Sequence, residues 1–219
     1  MSFSDPMTVA NYIDNLTRQV PGLQALHRMT TLLLAEHVPD RGSVLVLGAG
    51  GGAELKALAD AQPTWQLLGV DPSAEMLLLA KQTLGADAHR VELIQGYIDD
   101  APHTEHSGAT CLLTLHFLSV QARLQTLIAL RSRLKPGAPL IIAHHSVPDD
   151  PVRKKAWLRR SAVFSGATGT EPDTRAAVFA ERLPTLSPEA EEALLQRAGF
   201  QRIEQFYTAL SFRGWVAYA

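Results

Sequence analysis

Six consecutive small residues, Gly48-Ala49-Gly50-Gly51-Gly52-Ala53, separate a short apolar run from a helical stretch. Glycines at such a point let the backbone turn sharply and approach a ligand closely. The helix that follows offers unpaired N–H groups at the positive end of its dipole. A loop of this kind receives an anion or a carboxylate. Asp71 lies about 20 residues further on, at the end of the next apolar run, where a carboxylate can accept both hydroxyls of a ribose. Together the two describe an adenosine-ribose site. The glycines alone do not choose the cofactor, because Gly48, Gly50 and Ala53 satisfy the dinucleotide pattern G-x-G-x-x-[GA] while Gly48, Gly50 and Gly52 satisfy G-x-G-x-G.

Other residue types invite chemistry. His116 follows a candidate fourth strand, where polar side chains of open α/β sheets meet ligand, and an imidazole there could take a proton from an acceptor hydroxyl or amine. The alternative is a hydrogen-bonded structural histidine. His144 and His145 are neighbours on a candidate strand and so point to opposite faces, which keeps them from sharing one metal ion. With His103 and His106 in a polar loop, the histidines show no ligand spacing; most are expected to be solvated, and no metal site is expected. Arg153, Lys154, Lys155, Arg159 and Arg160 surround Trp157 in a basic run that reads as a solvated helix face, with Trp157 and Phe164 packing a cap onto the sheet.

These residues need elements to hold them. Leu23, Leu26, Leu32, Leu33, Leu34 and Val38 recur near helical spacing before Pro39-Asp40-Arg41-Gly42 breaks the pattern. Strands are expected at Ser43 to Leu47, Trp65 to Val70, Val91 to Ile94, Ala109 to Leu115 and Pro139 to Ala143. Helices are expected at Ala53 to Ala61, Ala74 to Leu84 with Ser73 as N-cap, and Val120 to Leu134. The alternation implies an α/β fold with a doubly wound, mostly parallel sheet and helices on both faces. After His145 come a charged helical stretch from Asp149 to Phe164, a Gly- and Thr-rich loop and further helical turns. A helix from Pro188 to Ala198, a stop at Gly199 and strands at Ile203 to Tyr207 and Phe212 to Tyr218 close the chain.

Composition bounds the reading. The 219 residues suit one domain, here with a helical segment over 1–41 and a cap over 149–185, and 46% hydrophobic against 19% charged residues supports a packed core. With 20 Lys+Arg against 22 Asp+Glu there is no general field for polyanions, so nucleic acid is not an expected partner. The single cysteine, Cys111, sits in an apolar run and reads as a small buried hydrophobe of a reducing compartment. No signal peptide and no membrane span are read from the sequence, so a cytoplasmic protein is expected. A symmetric pair is the default assembly.

The motifs in order resemble the class I S-adenosylmethionine-dependent methyltransferases from about Tyr12 onward. Val44-Leu45-Val46-Leu47-Gly48-Ala49-Gly50-Gly51-Gly52 looks like that family's first motif, and Gly69-Val70-Asp71-Pro72-Ser73-Ala74-Glu75-Met76-Leu77 like its acidic motif after the second strand. Gln95-Gly96-Tyr97-Ile98-Asp99 resembles the loop beside the adenine, and Leu134-Lys135-Pro136-Gly137-Ala138 the turn before the fifth strand. The resemblance implies seven strands with an antiparallel C-terminal strand in a Rossmann-like methyltransferase fold. The implied closing hairpin, after Arg197-Ala198-Gly199-Phe200, is absent from dinucleotide-binding dehydrogenases.

Carried over, the resemblance places Gly48, Ala49 and Gly50 against the methionine portion of the cofactor and Asp71 on the ribose. Ser73 and Met76 come near the adenosine, Gly96, Tyr97 and Ile98 beside the adenine, Leu115 and His116 facing the methyl group, and Tyr12 in the same site. The chain departs from the family at Val46, which stands where an acidic residue helps anchor the methionine end. Within the family, Tyr12, Arg18-Gln19-Val20-Pro21-Gly22 and the region from Arg197 to Trp215 resemble the enzymes that build carboxy-S-adenosylmethionine for tRNA wobble-uridine modification, and related small-molecule methyltransferases; Arg175 is the candidate for the extra carboxylate.

The expected activity is methyl transfer from S-adenosylmethionine, leaving S-adenosylhomocysteine, to a small-molecule acceptor, with His116 as the catalytic candidate. The alternatives are a carboxy-S-adenosylmethionine synthase-like enzyme, an NAD(P)-dependent oxidoreductase and a non-catalytic nucleotide-binding protein.

Overall fold

The computed structural model describes residues 12–219, with side chains from residue 15. Helices α1 (Tyr12–Gln19) and α2 (Leu23–Ala35) precede β1 (Ser43–Leu47), α3 (Ala53–Ala61), β2 (Gln66–Asp71), α4 (Ala74–Leu84) and β3 (Val91–Gln95). Then come β4 (Gly108–Leu112), α5 (Val120–Arg131), β5 (Pro139–His145), α6 (Pro151–Phe164), α7 (Glu171–Arg182), α8 (Pro188–Arg197), β6 (Gln201–Ala209) and β7 (Phe212–Tyr218).

The seven strands form one sheet in the order β3-β2-β1-β4-β5-β7-β6. The first five are mutually parallel, and β7 runs antiparallel to both β5 and β6. The order reverses between β1 and β4, and open α/β sheets bind ligands beyond the carboxyl ends of the strands at such a reversal. β1 is apolar along its length because both of its faces are covered. Val44 and Val46 face one core with Leu26 and Leu34 of α2, Leu55 and Leu58 of α3 and Leu77 of α4. Leu45 and Leu47 face another with Leu127 of α5, Leu195 of α8 and Trp215.

Caps explain where the helices start. Ser73, Ser119 and Ser187 each accept a hydrogen bond from the backbone N–H three residues on, and Asp150 does the same for α6. The fourth strand is shorter than its apolar run suggests. It ends at Leu112 because Leu113 adopts a left-handed φ of 57°, and Leu115–Phe117 then forms a 3-10 turn. Leu115, expected to end the strand, therefore lies with His116 in that turn. The helix expected to run to Leu134 stops at Arg131, and Arg133 turns back to donate to the Ala101 carbonyl at 3.1 Å.

Helices α6 and α7 pack together beyond the end of β5 over a small core of Val147, Leu158 and Ala176, with Trp157 and Phe179 against it. Phe164, expected to join that packing, is 49% exposed because it lies in the last turn of α6, pointing to solvent. Among the described residues, no helix is long and apolar enough to cross a membrane.

Candidate functional site

The glycine loop folds over the ends of β1 and β2. Gly48, Gly50 and Gly52 have φ of 79°, 50° and 81°, a region closed to most side chains. The N–H groups of Gly48 and Ala49 both donate to the Val70 carbonyl, at 2.8 and 3.0 Å. A Cβ at Gly48 would lie 2.0 Å from Thr114 Oγ1. Gly48→Ala is therefore expected to displace the loop or the turn carrying His116, at a backbone cost of about 1–2 kcal/mol before the clash is counted. Thermal unfolding should show it as a lowered midpoint; an unchanged midpoint would mean that the loop relaxes freely.

Asp71 ends β2, nearly buried, and holds this loop in place. Its Oδ2 accepts from the Gly50 N–H at 2.8 Å and its Oδ1 from the Ser73 N–H at 3.0 Å. Burial raises its pKa, and the N–H donors of Ser73 and Gly50 oppose that rise. Each carboxylate oxygen keeps acceptor capacity for a hydroxyl. The Asp71 carbonyl in turn accepts from the Gly96 N–H at 3.0 Å, which ties the turn after β3 to the same point.

Ser73 caps α4 through Met76 N–H, and Met76 itself is only 2% exposed, in the interior. Gly96 leaves no room for a side chain, because a Cβ would meet the Asp100 carboxyl, whose Oδ2 accepts from Tyr97 N–H at 2.8 Å. Tyr97 stands 66% exposed, whereas Ile98 is buried in the core. Leu115 is also fully buried in that core. Gly48, Gly50, Asp71, Ser73 and Gly96 thus share one hydrogen-bonded crevice, while the side chains of Met76, Ile98 and Leu115 are packed away. The side chain of Tyr12 lies outside the described residues.

Four of the eight histidines are inside, against the expectation that most are solvated, while His103 is exposed as expected. His116, His144 and His145 are 5%, 0% and 7% exposed, and His106 is buried as well. They cluster because the 3-10 turn brings the His116 ring over the end of β5, 4.9 Å from His145 and 6.4 Å from His144 between ring centroids. Burial first, and then the neighbouring His145, His144 and Arg123, hold the His116 pKa well below the usual imidazole range. Burial, with His144 second, brings His145 down to about 3. Both rings are neutral at physiological pH, and His116 Nδ1 has no hydrogen-bond partner.

The two strand histidines do diverge. His145 Nδ1 lies 2.8 Å from Ser211 Oγ, which lies 2.6 Å from Ser161 Oγ of α6, so a buried hydroxyl pair joins the strand end to the cap. On the other face, His144 Nε2 lies 3.0 Å from Glu191 Oε1, and Glu191 also pairs with Arg123. Arg123, fully buried, donates further to the carbonyls of Leu115 at 3.1 Å and Pro184 at 2.9 Å, bracing the turn that carries His116. Among the described residues, no three His, Cys, Asp or Glu side chains converge on a common point.

The basic run on α6 is turned outward, with Arg159 paired to Asp173 and Arg160 over the Trp157 ring at 4.4 Å. Arg175 pairs with Glu171 on α7 and is 44% exposed. Glu54, in the first turn of α3, is one residue the motifs did not single out. It is 7% exposed, and burial pushes its pKa up to about 7.

Residues 44–137 match a family described as a methyltransferase domain. Over 98% of this chain and 82% of the relative, the sequence is 30% identical to the carboxy-S-adenosyl-L-methionine synthase of Chromohalobacter salexigens. An O-methyltransferase family protein of Burkholderia thailandensis superposes with a TM-score of 0.72 at 14% identity, over 99% of this chain and 61% of that one. Human N-acetylserotonin methyltransferase, solved in complex with SAM, gives 0.61 at 18% identity, over 98% and 59%. The chain thus spans about three fifths of these two solved structures, and at such identities the likeness speaks for the fold alone.

Proposed function

We propose, from the premise that this chain belongs to the S-adenosylmethionine-dependent methyltransferase family, that the crevice at the ends of β1, β2 and β3 holds the cofactor and that a small-molecule acceptor is methylated beside His116. The observation that carries this reading is the carboxylate of Asp71, bonded to the glycine loop on one oxygen and to Ser73 on the other. The residues fit the cofactor: left-handed glycines turn the loop tightly over the strand ends, as its amino-acid part requires, and Asp71 keeps acceptor sites for ribose hydroxyls. The exposed Tyr97 ring stands ready to cover a base.

When bound, S-adenosylmethionine supplies a methyl group on a sulfonium, transferred by in-line displacement. The protein contributes position and dryness: the cap helices α6 and α7 flank the strand ends and exclude water from the reacting atoms. His116, neutral and with a free Nδ1, serves as acceptor of the proton lost from a hydroxyl or amine. Burial disfavours its imidazolium, so it is a weaker base than an exposed histidine. Arg123 and Glu191 act through the turn that holds it.

Asp71→Ala removes a charge-assisted contact worth about 1.5–3 kcal/mol, so affinity for S-adenosylmethionine should fall roughly ten- to a hundredfold by calorimetry. Unchanged affinity would sink the site assignment. A second reading is favoured by the name of the relative at 30% identity, a carboxy-S-adenosyl-L-methionine synthase. Against a preformed clamp for the extra carboxylate stands Arg175, which is exposed and already paired with Glu171. Mass spectrometry of nucleoside released from the gently purified protein separates the two, since a mass greater by a carboxyl group favours the second reading.

A further inference from the structure

An ionised carboxyl buried without a cation beside it is strongly unfavourable. Glu54 would meet that cost on ionising: it is 7% exposed and its Oε1 has no hydrogen-bond partner. It stands two residues after Gly52, in the first turn of α3, against Thr110 of β4. Thr110 is the register partner of Val46 on β1. The carboxyl therefore lies in the helix that follows the glycine loop, against the strand neighbour of Val46, whose own side chain is apolar.

No basic side chain among the described residues reaches it. The nearby lysine of the same helix, Lys56, pairs instead with Asp60 and Asp87. Its titration is governed by burial and the Thr110 hydroxyl, with no charged group of α2, α4 or β2 contributing. The titratable group that senses it across β4 is the Cys111 thiol, pushed up by burial and then by Glu54. A buried carboxyl without a counter-charge, two residues beyond the glycine loop, is a place where a cation on a ligand of that loop would be stabilised.

We propose that Glu54 is the counter-charge for the amino-acid end of the cofactor, its carboxylate pairing with the α-ammonium group of S-adenosylmethionine or S-adenosylhomocysteine in place of an acidic side chain at Val46. The inference rests on the assignment of the crevice to that cofactor. In the free protein, burial holds the carboxyl near a pKa of about 7, so much of it is protonated at neutral pH. Binding an ammonium favours the ionised form. The proton on Glu54 leaves to solvent as the ion pair forms, and no covalent bond changes.

The test is calorimetry of the full chain with S-adenosylhomocysteine and, as a control that lacks the amino-acid end, 5′-methylthioadenosine. In wild type, affinity for S-adenosylhomocysteine should rise about fifteenfold from pH 5.5 to 7, a window below the titration of the ligand's own amine. Binding should release a fraction of a proton, seen as heats that depend on the ionisation enthalpy of the buffer. Glu54→Gln, neutral and nearly isosteric, should lose both the proton release and that pH dependence, and should bind S-adenosylhomocysteine about tenfold more weakly at pH 7. Its affinity for 5′-methylthioadenosine should not change. Proton-free binding in wild type, or equal affinity in wild type and Glu54→Gln, would overturn the pairing while leaving the crevice assigned. Failure of wild type to bind S-adenosylmethionine or S-adenosylhomocysteine at all would overturn the proposed function and this inference with it. Should Glu54→Gln not fold, the wild-type proton release with S-adenosylhomocysteine, absent with 5′-methylthioadenosine, decides alone.

Discussion

Glu191→Ala should lower the free energy of unfolding by about 3–5 kcal/mol, because it leaves a buried guanidinium without its counter-ion. Arg123 is 0% exposed and Glu191 1%. Burial already depresses the arginine's pKa, and Glu191 is the first group that opposes the fall. The carbonyls of Leu115 and Pro184 would remain as partners but carry no full charge. His144, now 3.0 Å from Glu191, would lose its acidic neighbour too. Urea unfolding of wild type and variant measures the loss, and a change below about 1 kcal/mol would show that the site relaxes or admits water. Replacing Arg123 and Glu191 together with methionines should recover much of the deficit, since a packed apolar pair avoids desolvating two charges.

The second large effect has the opposite sign. Glu54 has a pKa of about 7 in the folded protein against an ordinary 4.5. Between those values the native state holds a proton that the unfolded chain releases, so stability falls as pH rises through the window. Above pH 7 the full penalty is present, about 3 kcal/mol from about 1.4 kcal/mol per pH unit. In protein free of nucleoside, Glu54→Gln should therefore match wild type near pH 4.5 and be more stable by about 3 kcal/mol near pH 8. Denaturant titrations at the two pH values check it. A constant difference between the two proteins across that range would show that Glu54 is not held protonated by burial.

Much of this architecture is legible from local signals. Helices α3 and α4 begin and end where the residues imply, because a glycine precedes one and the Ser73 cap opens the other. Strand β7 likewise spans Phe212 to Tyr218 as its apolar pattern requires. The fourth strand misleads since nothing about Leu113 announces a left-handed conformation. That single torsion ends the strand three residues early and puts His116 in a turn against the histidines of β5.

The crevice is legible for a similar reason: glycines and a following aspartate have few other uses at that spacing. The polar residues beneath it are not. Arg123, Arg133, Glu54 and Glu191 are all nearly inaccessible, yet charged side chains in helical stretches read as surface until tertiary contacts are known. Their burial depends on partners distant in the chain, as with Arg133 and Ala101 at a separation of 32 and Arg123 and Glu191 at a separation of 68, and no local window contains such pairings.

Cys111 has a practical use as a clock. It is the chain's single thiol, lies fully buried in the middle of β4, and is held far toward its protonated form by its surroundings. Modification by a thiol reagent must wait for the central strands to part, so its rate reports the opening of the whole sheet rather than of a loop. Slowing of that reaction by a nucleoside would measure how strongly the nucleoside fastens the sheet, without a label or a turnover assay. A cysteine engineered at an exposed position of α6 or α7 would react alone on a faster scale, giving the cap a second timer in the same molecule.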